Sequence, residues 1–269
     1  MSAMDNLDAL ESQSIYIFRE AFNKVERLAM LWSIGKDSNA MLWLARKAFF
    51  GHVPFPLIHV DTKKKIPEMI EFRDRYAKEW NLNLIVDSNH QAIAAGMGPD
   101  RGKVVCCSAL KTEGLKAVIA EHGFTGVFAG IRRDEEGTRA KERIFSPRGI
   151  LSQWDVRDQP PEFWEQFNAD VPPGAHLRIH PLLPWTEIDI WRYIRREGIP
   201  LVDLYFAKNG QRYRSLGCAP CTAPMASTAS TVDEIIKELE NTKVSERSGR
   251  AQDKESEDAF ERLRVEGYM

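Results

Sequence analysis

The feature that most constrains the fold is a short polar loop between two apolar segments near the start of the chain. Residues 28–32 form a continuous apolar run that predicts a buried strand, and residues 41–45 continue a helical pattern. The loop between them, residues 33–38, brings the unpaired N–H groups and the positive dipole end of a helix to one point. This arrangement is typical of a phosphate site beside a parallel sheet.

The spacing within this loop excludes two common nucleotide-binding loops. A P-loop requires a glycine five residues before its Gly-Lys pair and Ser or Thr directly after the lysine, whereas this chain has Met30 and Asp37 there. The dinucleotide fingerprint requires three glycines, and the loop contains only Gly35. An ordinary turn with the same residue types remains the alternative to a nucleotide site.

Apolar runs and helical patterns alternate along the first half of the chain. The predicted strands after the loop are residues 54–60, 82–86 and 126–130, and the predicted helices are residues 8–27, 67–80 and 109–122. The alternation predicts an α/β fold with a doubly wound, mostly parallel sheet and helices on both faces. Ligands of such sheets bind beyond the carboxyl ends of the strands, which places Ser33, Asp61 and Gly130 at one edge.

The character of the sequence changes near residue 146. Seven prolines between positions 147 and 184 interrupt regular structure. Further helices are predicted after Thr186, a suitable N-cap, and over residues 231–240, while the charged stretch from Glu246 onward is expected in solvent. We therefore predict a nucleotide-binding core over residues 1–145, and an irregular and helical region over residues 146–269 that packs on the core and completes the site.

Composition narrows the classes of protein to consider. The chain has 269 residues, of which 43% are hydrophobic, and a formal net charge of −2, so it can form a full core and carries no global signal for nucleic acid. The sequence shows neither an apolar run of membrane-spanning length nor a signal-peptide pattern, and we expect a cytoplasmic protein without membrane contact. Four cysteines in such a protein indicate metal binding, catalysis or simple burial more than a disulfide framework.

The loop resembles the PP-loop of the ATP pyrophosphatases, written Ser-Gly-Gly-x-Asp-Ser, although Ile34 departs from that pattern. Ile34 does match a variant associated with the small subunit of bacterial sulfate adenylyltransferase. Further segments resemble the same superfamily in the same order, and they are residues 54–62, 72–75, 111–116, 132–136, 139–143, 185–191, 205–208 and 264–268. On these segments the chain is identified as a member of the PAPS reductase and sulfate adenylyltransferase small subunit superfamily, whose ATP pyrophosphatases cleave ATP between its α and β phosphates.

The resemblance, with charge and position, implies a set of site residues. Those expected to bind ATP are Ser33, Gly35, Lys36, Asp37, Ser38, Asp61 and Gly130, and the expected catalytic residues are Lys36, Asp37, Arg132 and Arg133. Asp37 would cap the helix or bind Mg²⁺ that neutralises pyrophosphate, and the two arginines would hold an anionic acceptor or the α-phosphate. The implied reaction is attack of that acceptor on the α-phosphorus; a surface ion-pair network is the alternative for the charged cluster.

All four cysteines fall into two pairs, Cys106-Cys107 and Cys218-Ala219-Pro220-Cys221. A Cys-x-x-Cys pair supplies two metal ligands, and an adjacent pair can complete four thiolates. The arrangement resembles the ligation of the [4Fe-4S] cluster in assimilatory APS reductases, a set that ordinary sulfate adenylyltransferase small subunits lack. Tetrahedral zinc and buried, unligated thiols are the alternatives.

Two further departures from the adenylyltransferase pattern bear on partners. Lys63 and Lys64 replace an expected Gly-Trp and form, with Lys65, a basic stretch at the rim of the site. That stretch suits sulfate, phosphate or a nucleic-acid backbone, and a solvated loop is the alternative. The segment over residues 208–217 is shorter than in the adenylyltransferase subunits, which puts docking to their GTPase partner in doubt.

These departures lead us to favour a cluster-bearing sulfur-insertion enzyme, as in DNA phosphorothioation, with a cysteine desulfurase and DNA-modifying proteins as partners. The alternative is a sulfate adenylyltransferase small subunit, which forms adenylyl sulfate and pyrophosphate beside a GTPase large subunit. An APS or PAPS reductase-like enzyme is weakened because its C-terminal catalytic-cysteine motif is missing from the sequence. A non-catalytic, ATP-binding cluster scaffold is the last hypothesis, and the acceptor and any homo-oligomer are left open.

Overall fold

The computed structural model describes residues 5–244, 246, 263 and 265–267, and within them the chain forms a six-stranded sheet and a small two-stranded sheet. The order in the large sheet is β3-β2-β1-β4-β6-β5, and every neighbouring pair is parallel except β5 with β6. Its strands are β1 (Leu28–Leu31), β2 (Leu57–Val60), β3 (Leu84–Asp87), β4 (Gly126–Phe128), β5 (Phe145–Arg148) and β6 (His176–Ile179). The small sheet pairs β7 (Gln211–Arg212) with β8 (Met225–Ala226). The predicted mostly parallel α/β sheet is confirmed.

Eight α-helices flank these strands in the described part of the chain. They are α1 (Asn6–Lys24), α2 (Lys36–Ala48), α3 (Pro67–Glu79), α4 (His90–Ala94), α5 (Lys103–Cys107), α6 (Glu113–His122), α7 (Glu187–Glu197) and α8 (Val232–Asn241). The predicted helix ends are confirmed, since Gly123 ends α6 in the left-handed region at φ 62° and Thr186 begins α7 in a capping box with Asp189. A π-helical turn, Ser108–Thr112, joins α5 to α6. Among the described residues, no helix combines the length and apolar character that crossing a membrane demands.

Apolar side chains cover both faces of the sheet. Along β1, Met30 packs into a large core beneath α1 and α2, whereas Ala29 and Leu31 face a smaller core that includes Leu115 and Val118 of α6. A parallel strand buried on both faces reads as a continuous apolar run, which is why β1 was predictable from its composition. The two cores hold β1 and β4 rigidly beneath the loop that follows β1.

Strands β5 and β6 extend the sheet beyond residue 145, into the stretch predicted to be irregular. In β6 the polar residues His176 and Arg178 alternate with Leu177 and Ile179, and all four are buried. A hydrophobicity pattern cannot reveal a strand whose buried face carries charge. Pro147 fits in β5 because this strand lies at the edge of the sheet. The division of the chain at residue 145 remains a prediction.

Candidate active site

The loop after β1 turns sharply into α2. Ile34 takes a left-handed backbone conformation at φ 68°, and Gly35 is the N-cap of α2 without a side-chain cap of its own. The hydrogen-bond partner of the first amide of α2 is distant in the sequence, since the Lys36 N–H donates to the Tyr205 hydroxyl over 2.8 Å. The remaining N-terminal amides of α2 and its dipole make this end of the helix suitable for an anion.

Hydroxyl groups and a close backbone approach fix the shape of this loop. Ser33 and Ser38 lie with their Oγ atoms 3.1 Å apart, and the Ser38 hydroxyl donates to the Gly35 carbonyl over 3.0 Å. A Cβ atom on Gly130 would lie 3.4 Å from Ser38 N and 3.5 Å from the carbonyl carbon of Asp37. Gly130, at the end of β4, thus lies in van der Waals contact with the first turn of α2, as the sheet-edge argument predicts.

A cleft of about 1160 Å³, counting its part open to solvent, lies beyond the carboxyl ends of the strands. Six of the predicted residues line it: Ser33, Gly35, Lys36, Asp37, Ser38 and Gly130. Its apolar walls are formed by Leu31, Ile58, Leu115 and Ala129. A cleft with apolar walls and charged groups at one end has the polarity of a nucleotide site.

Two buried cations sit at the loop end of this cleft. Lys36 Nζ pairs with Asp37 Oδ2 at 3.1 Å and also with Glu246. Arg132 pairs with Asp37, with Asp134 at 2.9 Å and with Glu246 at 2.5 Å, and its side chain is fully buried. Burial alone would lower the pKa of Arg132, but Glu246, Glu135 and Asp134 outweigh it and raise that pKa. Arg132 is therefore a permanent positive charge held beside Asp37.

The charged stretch from Glu246 onward is predicted to be mostly in solvent; Glu246 itself departs from this prediction, and residues 247–262 lie outside the described residues. The residue is only 8% exposed and lines the cleft, because its carboxylate ion-pairs with Lys36 and Arg132. Burial would raise the pKa of Glu246, yet the two cations lower it well below its usual range. Glu246 is therefore a buried, ionised part of the site.

Two predicted site residues point elsewhere. Arg133 is exposed, lies outside the cleft lining and donates to the Glu142 carbonyl over 3.2 Å. Asp61 lines a neighbouring groove, where its carboxylate accepts from Lys63 N at 2.8 Å and pairs with Lys63 Nζ at 2.7 Å. Burial would raise the pKa of Asp61, but these contacts with Lys63 lower it overall. Lys65 lines both the groove and the cleft.

Several cleft residues were missing from the predicted site, namely Lys65, Lys111, Glu135, Arg139, Tyr205 and Glu246. Most of them fall inside segments that carried the family resemblance, so position in those segments was the available signal. Glu246 had no such signal, because it lies in a charged stretch without hydrophobic period and reaches Lys36 across 210 positions of the sequence.

The four cysteines meet at a second, smaller cavity of about 260 Å³. All four are buried thiols, and all four line this cavity. Burial, and then the other three thiols, raise the pKa of Cys106 to about 11 against an opposing effect of Lys111. Thr62 Oγ1 lies 3.2 Å from Cys218 Sγ. The two sequence pairs therefore converge, as a shared ligand set requires.

The convergence of the four cysteines does not by itself make a metal site. Among the residues that the structure describes, no group of three or more His, Cys, Asp or Glu side chains is arranged to hold a metal ion. The donor set suits a thiophilic metal, whereas its spacing does not close around a single ion.

Sequence comparison identifies the family. Residues 27–224 match the phosphoadenosine phosphosulfate reductase domain. Proteins named sulfate adenylyltransferase subunit 2 from Bacteroides fragilis and Bacteroides thetaiotaomicron are each 44% identical over 99% of this chain and 98% of their own. The subunit 2 of Colwellia psychrerythraea is 43% identical over 99% of both chains.

Solved structures support the same fold at low identity. A phosphoadenylyl-sulfate reductase from Candida auris, as a phosphate complex, superposes with a TM-score of 0.55 at 15% identity and covers 83% of this chain and 98% of its own. The FMN adenylyltransferase of Candida glabrata in complex with ATP also gives 0.55, at 18% identity, with 83% of this chain and 66% of its own covered. These likenesses show the α/β adenine-nucleotide fold alone.

The comparisons correct the favoured hypothesis. A sulfur-insertion enzyme of DNA phosphorothioation is wrong as the main prediction, because relatives matching the full chain are named sulfate adenylyltransferase subunit 2. The desulfurase and DNA-modifying partners that it implied lose their support with it. An enzyme of the adenylyltransferase class that binds ATP is supported by the same relatives. The chain belongs to the phosphoadenosine phosphosulfate reductase domain family, within which it resembles sulfate adenylyltransferase subunit 2 along its whole length.

Proposed function

We propose that this protein transfers the adenylyl group of ATP to sulfate, forming adenylyl sulfate and pyrophosphate. The observation that carries this proposal is the 44% identity, over 99% of the chain, with proteins named sulfate adenylyltransferase subunit 2. The cleft supports it, since it combines an apolar floor with Lys36 and Arg132 at the helix end that suits phosphates.

The proposed chemistry is an in-line displacement at the α-phosphorus. A sulfate oxygen forms the new P–O bond, and the bond from that phosphorus to the bridging oxygen of the β-phosphate breaks, so pyrophosphate leaves with the electron pair. The amides of α2, Lys36 and Ser38 would hold the phosphates, while the buried Arg132 would stabilise charge in the transition state. Mg²⁺, when bound, would neutralise the leaving pyrophosphate, and Asp37 is the carboxylate placed to hold it.

Lys65, Lys111 and Arg139 also line the cleft, so a sulfate dianion would meet further positive charge there. Lys63 lies outside the cleft lining, in the neighbouring groove with Asp61, and its side chain is 56% exposed. Of the basic stretch, Lys65 is therefore the residue that suits an anionic substrate in the cleft.

The name of the relatives includes the word subunit, and we propose that this chain likewise works with a larger subunit. The alignment with those relatives spans 297 positions, more than the 269 residues of this chain, so they carry segments that this chain lacks. Residues 208–217 are one place where the chain is short. If the partner is a GTPase, as the resemblance implies, it must dock without the full insertion.

We also propose that the four-cysteine cavity holds a [4Fe-4S] cluster. Its four thiols line one cavity, which is the number and type of ligand that a [4Fe-4S] cluster takes. Cys106, Cys107, Cys218 and Cys221 would be the ligands, and the cluster would supply a redox-active, structure-stabilising centre. Anaerobic purification should give a brown protein with about four irons per chain, whereas Cys218→Ser should lose iron. A colourless protein with about one zinc per chain would refute the cluster.

The test of the main proposal is the sulfate dependence of pyrophosphate release, measured with the purified chain together with its candidate large subunit. Sulfate should be required, and Asp37→Asn should reduce release by at least about 100-fold, because the magnesium ligand and the partner of Arg132 lose their charge. Asp233→Asn, which removes an exposed partner of Arg195 on α8, is the matched control and should leave turnover unchanged. Pyrophosphate release that ignores sulfate would overturn the proposal.

A further inference from the structure

The Glu246 carboxylate lies where the triphosphate of ATP would have to bind. Its two carboxylate oxygens are divided between the cations, one on Lys36 and the other 2.5 Å from Arg132 Nη2. A carboxylate split between an ammonium and a guanidinium makes the contacts that phosphate oxygens make with the same groups. Lys36 and Arg132 are 1% and 0% exposed, so a second anion could reach them only by displacing the first.

The charge balance at this end of the cleft leads to the same conclusion. Lys36 and Arg132 are shared among three carboxylates, those of Asp37, Asp134 and Glu246. With all five groups ionised, this cluster carries a net negative charge, which repels a polyanion in a poorly screened site. If Glu246 leaves, the cluster becomes neutral and a magnesium-bound triphosphate no longer meets excess negative charge.

A short tethered segment carries Glu246 into the cleft. Helix α8 ends at Asn241, and the Val244 carbonyl accepts from Arg214 Nη1 over 2.6 Å. Arg214 is itself fixed by Glu187 at the start of α7, with Nη2 to Oε2 at 2.7 Å. Glu246 thus lies only two positions in the sequence beyond an anchored carbonyl, so displacement of its carboxylate need not disturb the anchor at Val244.

We propose that Glu246 is an autoinhibitory placeholder, which occupies the phosphate positions on Lys36 and Arg132 until the triphosphate of ATP displaces it. The inference rests on the proposed function, because it takes the same cleft as the ATP site. Before ATP binds, the placeholder gives each of the two buried cations an additional ion-pair partner. When ATP binds, part of its interaction energy is used to expel the carboxylate, so the measured affinity is lower than the open site would give.

The proposal predicts opposite effects on folding and on nucleotide affinity. Glu246→Gln and Glu246→Ala should lower the resistance of the free protein to urea, since Lys36 and Arg132 lose a charged partner. The same variants should bind α,β-methylene-ATP with Mg²⁺ at least about tenfold more tightly, because the competing carboxylate is gone. If Glu246 had a purely structural role, the same substitutions would lower both the resistance to urea and the affinity for the analogue. Glu240→Gln, which removes an exposed partner of Arg192 on α8, is the matched control and should change neither.

The decisive measurement is titration calorimetry of the wild type and these variants with α,β-methylene-ATP and Mg²⁺. Unchanged or weaker binding by Glu246→Gln would overturn the proposal, because it would mean that the carboxylate is neutral toward the nucleotide or helps to hold it. A second measurement needs no variant. Hydrogen exchange of the wild type should become faster at Val244 and Glu246 when the analogue binds, while it slows at Gly35 and Lys36; slower exchange at both places would refute displacement.

The outcome also separates this inference from the proposed function. Tighter analogue binding by the variants, without sulfate-dependent pyrophosphate release by the wild type, would support the placeholder and reject sulfate adenylylation. Sulfate-dependent pyrophosphate release by the wild type, with no gain in analogue affinity in the variants, would support sulfate adenylylation and reject the placeholder. If the Glu246 variants fail to fold, the wild-type exchange measurement still decides the matter.

Discussion

At the scale of single residues, Ile34 shows how this chain departs from the general PP-loop pattern. That pattern has glycine at this position, whereas Ile34 adopts φ 68° and is fully buried. A left-handed backbone costs a side-chain-bearing residue about 1–2 kcal/mol, and this cost falls on a β-branched residue here. The buried side chain packs into the main core and offsets the strain. The loop is thus held in shape by packing, where other members use glycine.

This balance between packing and backbone strain predicts that glycine replaces Ile34 with less loss of stability than alanine does, the reverse of the usual order in a helix. Ile34→Ala should be less stable than Ile34→Gly by about 1 kcal/mol, because alanine loses the packing and keeps the strain. At Ile17, a buried position inside helix α1, alanine should be the better replacement by about 1 kcal/mol. Urea unfolding of the four variants measures both differences. If the alanine variant is more stable than the glycine variant at both positions, the Ile34 backbone relaxes at little cost in free energy.

At the scale of elements, the start of α7 orients Arg132 through Asp134. Asp134 accepts from the Glu187 N–H over 2.7 Å with one oxygen and from Arg132 Nε over 2.9 Å with the other. The helix N-terminus favours a negative charge there, so α7 holds Asp134 and Asp134 orients Arg132. The capping box of Thr186 and Asp189 serves the same helix end without contacting Arg132.

Mutation can separate the effect of the Asp134 contact from that of the Thr186 capping box. Asp134→Ala should lower the turnover of pyrophosphate release by about tenfold, because Arg132 loses the bond that fixes its plane. Thr186→Ala should cost about 1 kcal/mol of stability, as N-cap losses do, and leave turnover of the folded enzyme intact. Turnover assays beside urea unfolding test the pair. Equal losses of turnover in both variants would assign the effect to α7 as a whole.

The same elements show what the sequence alone could predict and why. Strands β1 and β4 are apolar throughout, β2 is apolar except for His59, and the loop between β1 and α2 carries enough polar chemistry to indicate an anion site. Strand β6 escaped prediction because two of its four buried residues are the polar His176 and Arg178, whose burial depends on tertiary neighbours. Glu246 escaped for a related reason, since its environment depends on Lys36 and Arg132, both more than a hundred positions away.

At the scale of the whole molecule, the protein buries several histidines without charge. Burial, with a smaller effect of Lys65, lowers the pKa of His59 to about 4. Burial also lowers the pKa of His180 to about 4, although Glu142 opposes the shift. Burial also lowers the pKa of His176 to about 2, with Arg178 and Arg148 adding to the effect. His59 Nδ1 donates to the Trp32 carbonyl over 2.9 Å, which ties one of these rings to the strand that precedes the nucleotide loop.

Neutral buried histidines make folding stability depend on pH in a defined window. The unfolded chain protonates each histidine near its ordinary pKa of about 6.5, while the folded chain does not until near pH 4 or below, so stability is complete above about 6.5 and is lost as pH falls. Each such residue contributes a slope of up to about 1.4 kcal/mol per pH unit below 6.5. Over the interval from pH 6.5 to 5, most carboxylates stay ionised, so the loss reports histidines.

We therefore expect the free energy of unfolding to fall steeply between pH 6.5 and 5, by several kcal/mol in all. His180→Gln, which can keep the hydrogen bond to the Arg143 carbonyl, should be less steep by up to about 1.4 kcal/mol per pH unit. His90→Gln, at a side chain that is 81% exposed, is the control and should keep the wild-type slope. Urea unfolding at half-unit pH steps provides the slopes. A flat wild-type profile in this window would mean that the buried rings accept protons in the folded state, and the polar interior around β6 would then be more open to water than its packing indicates.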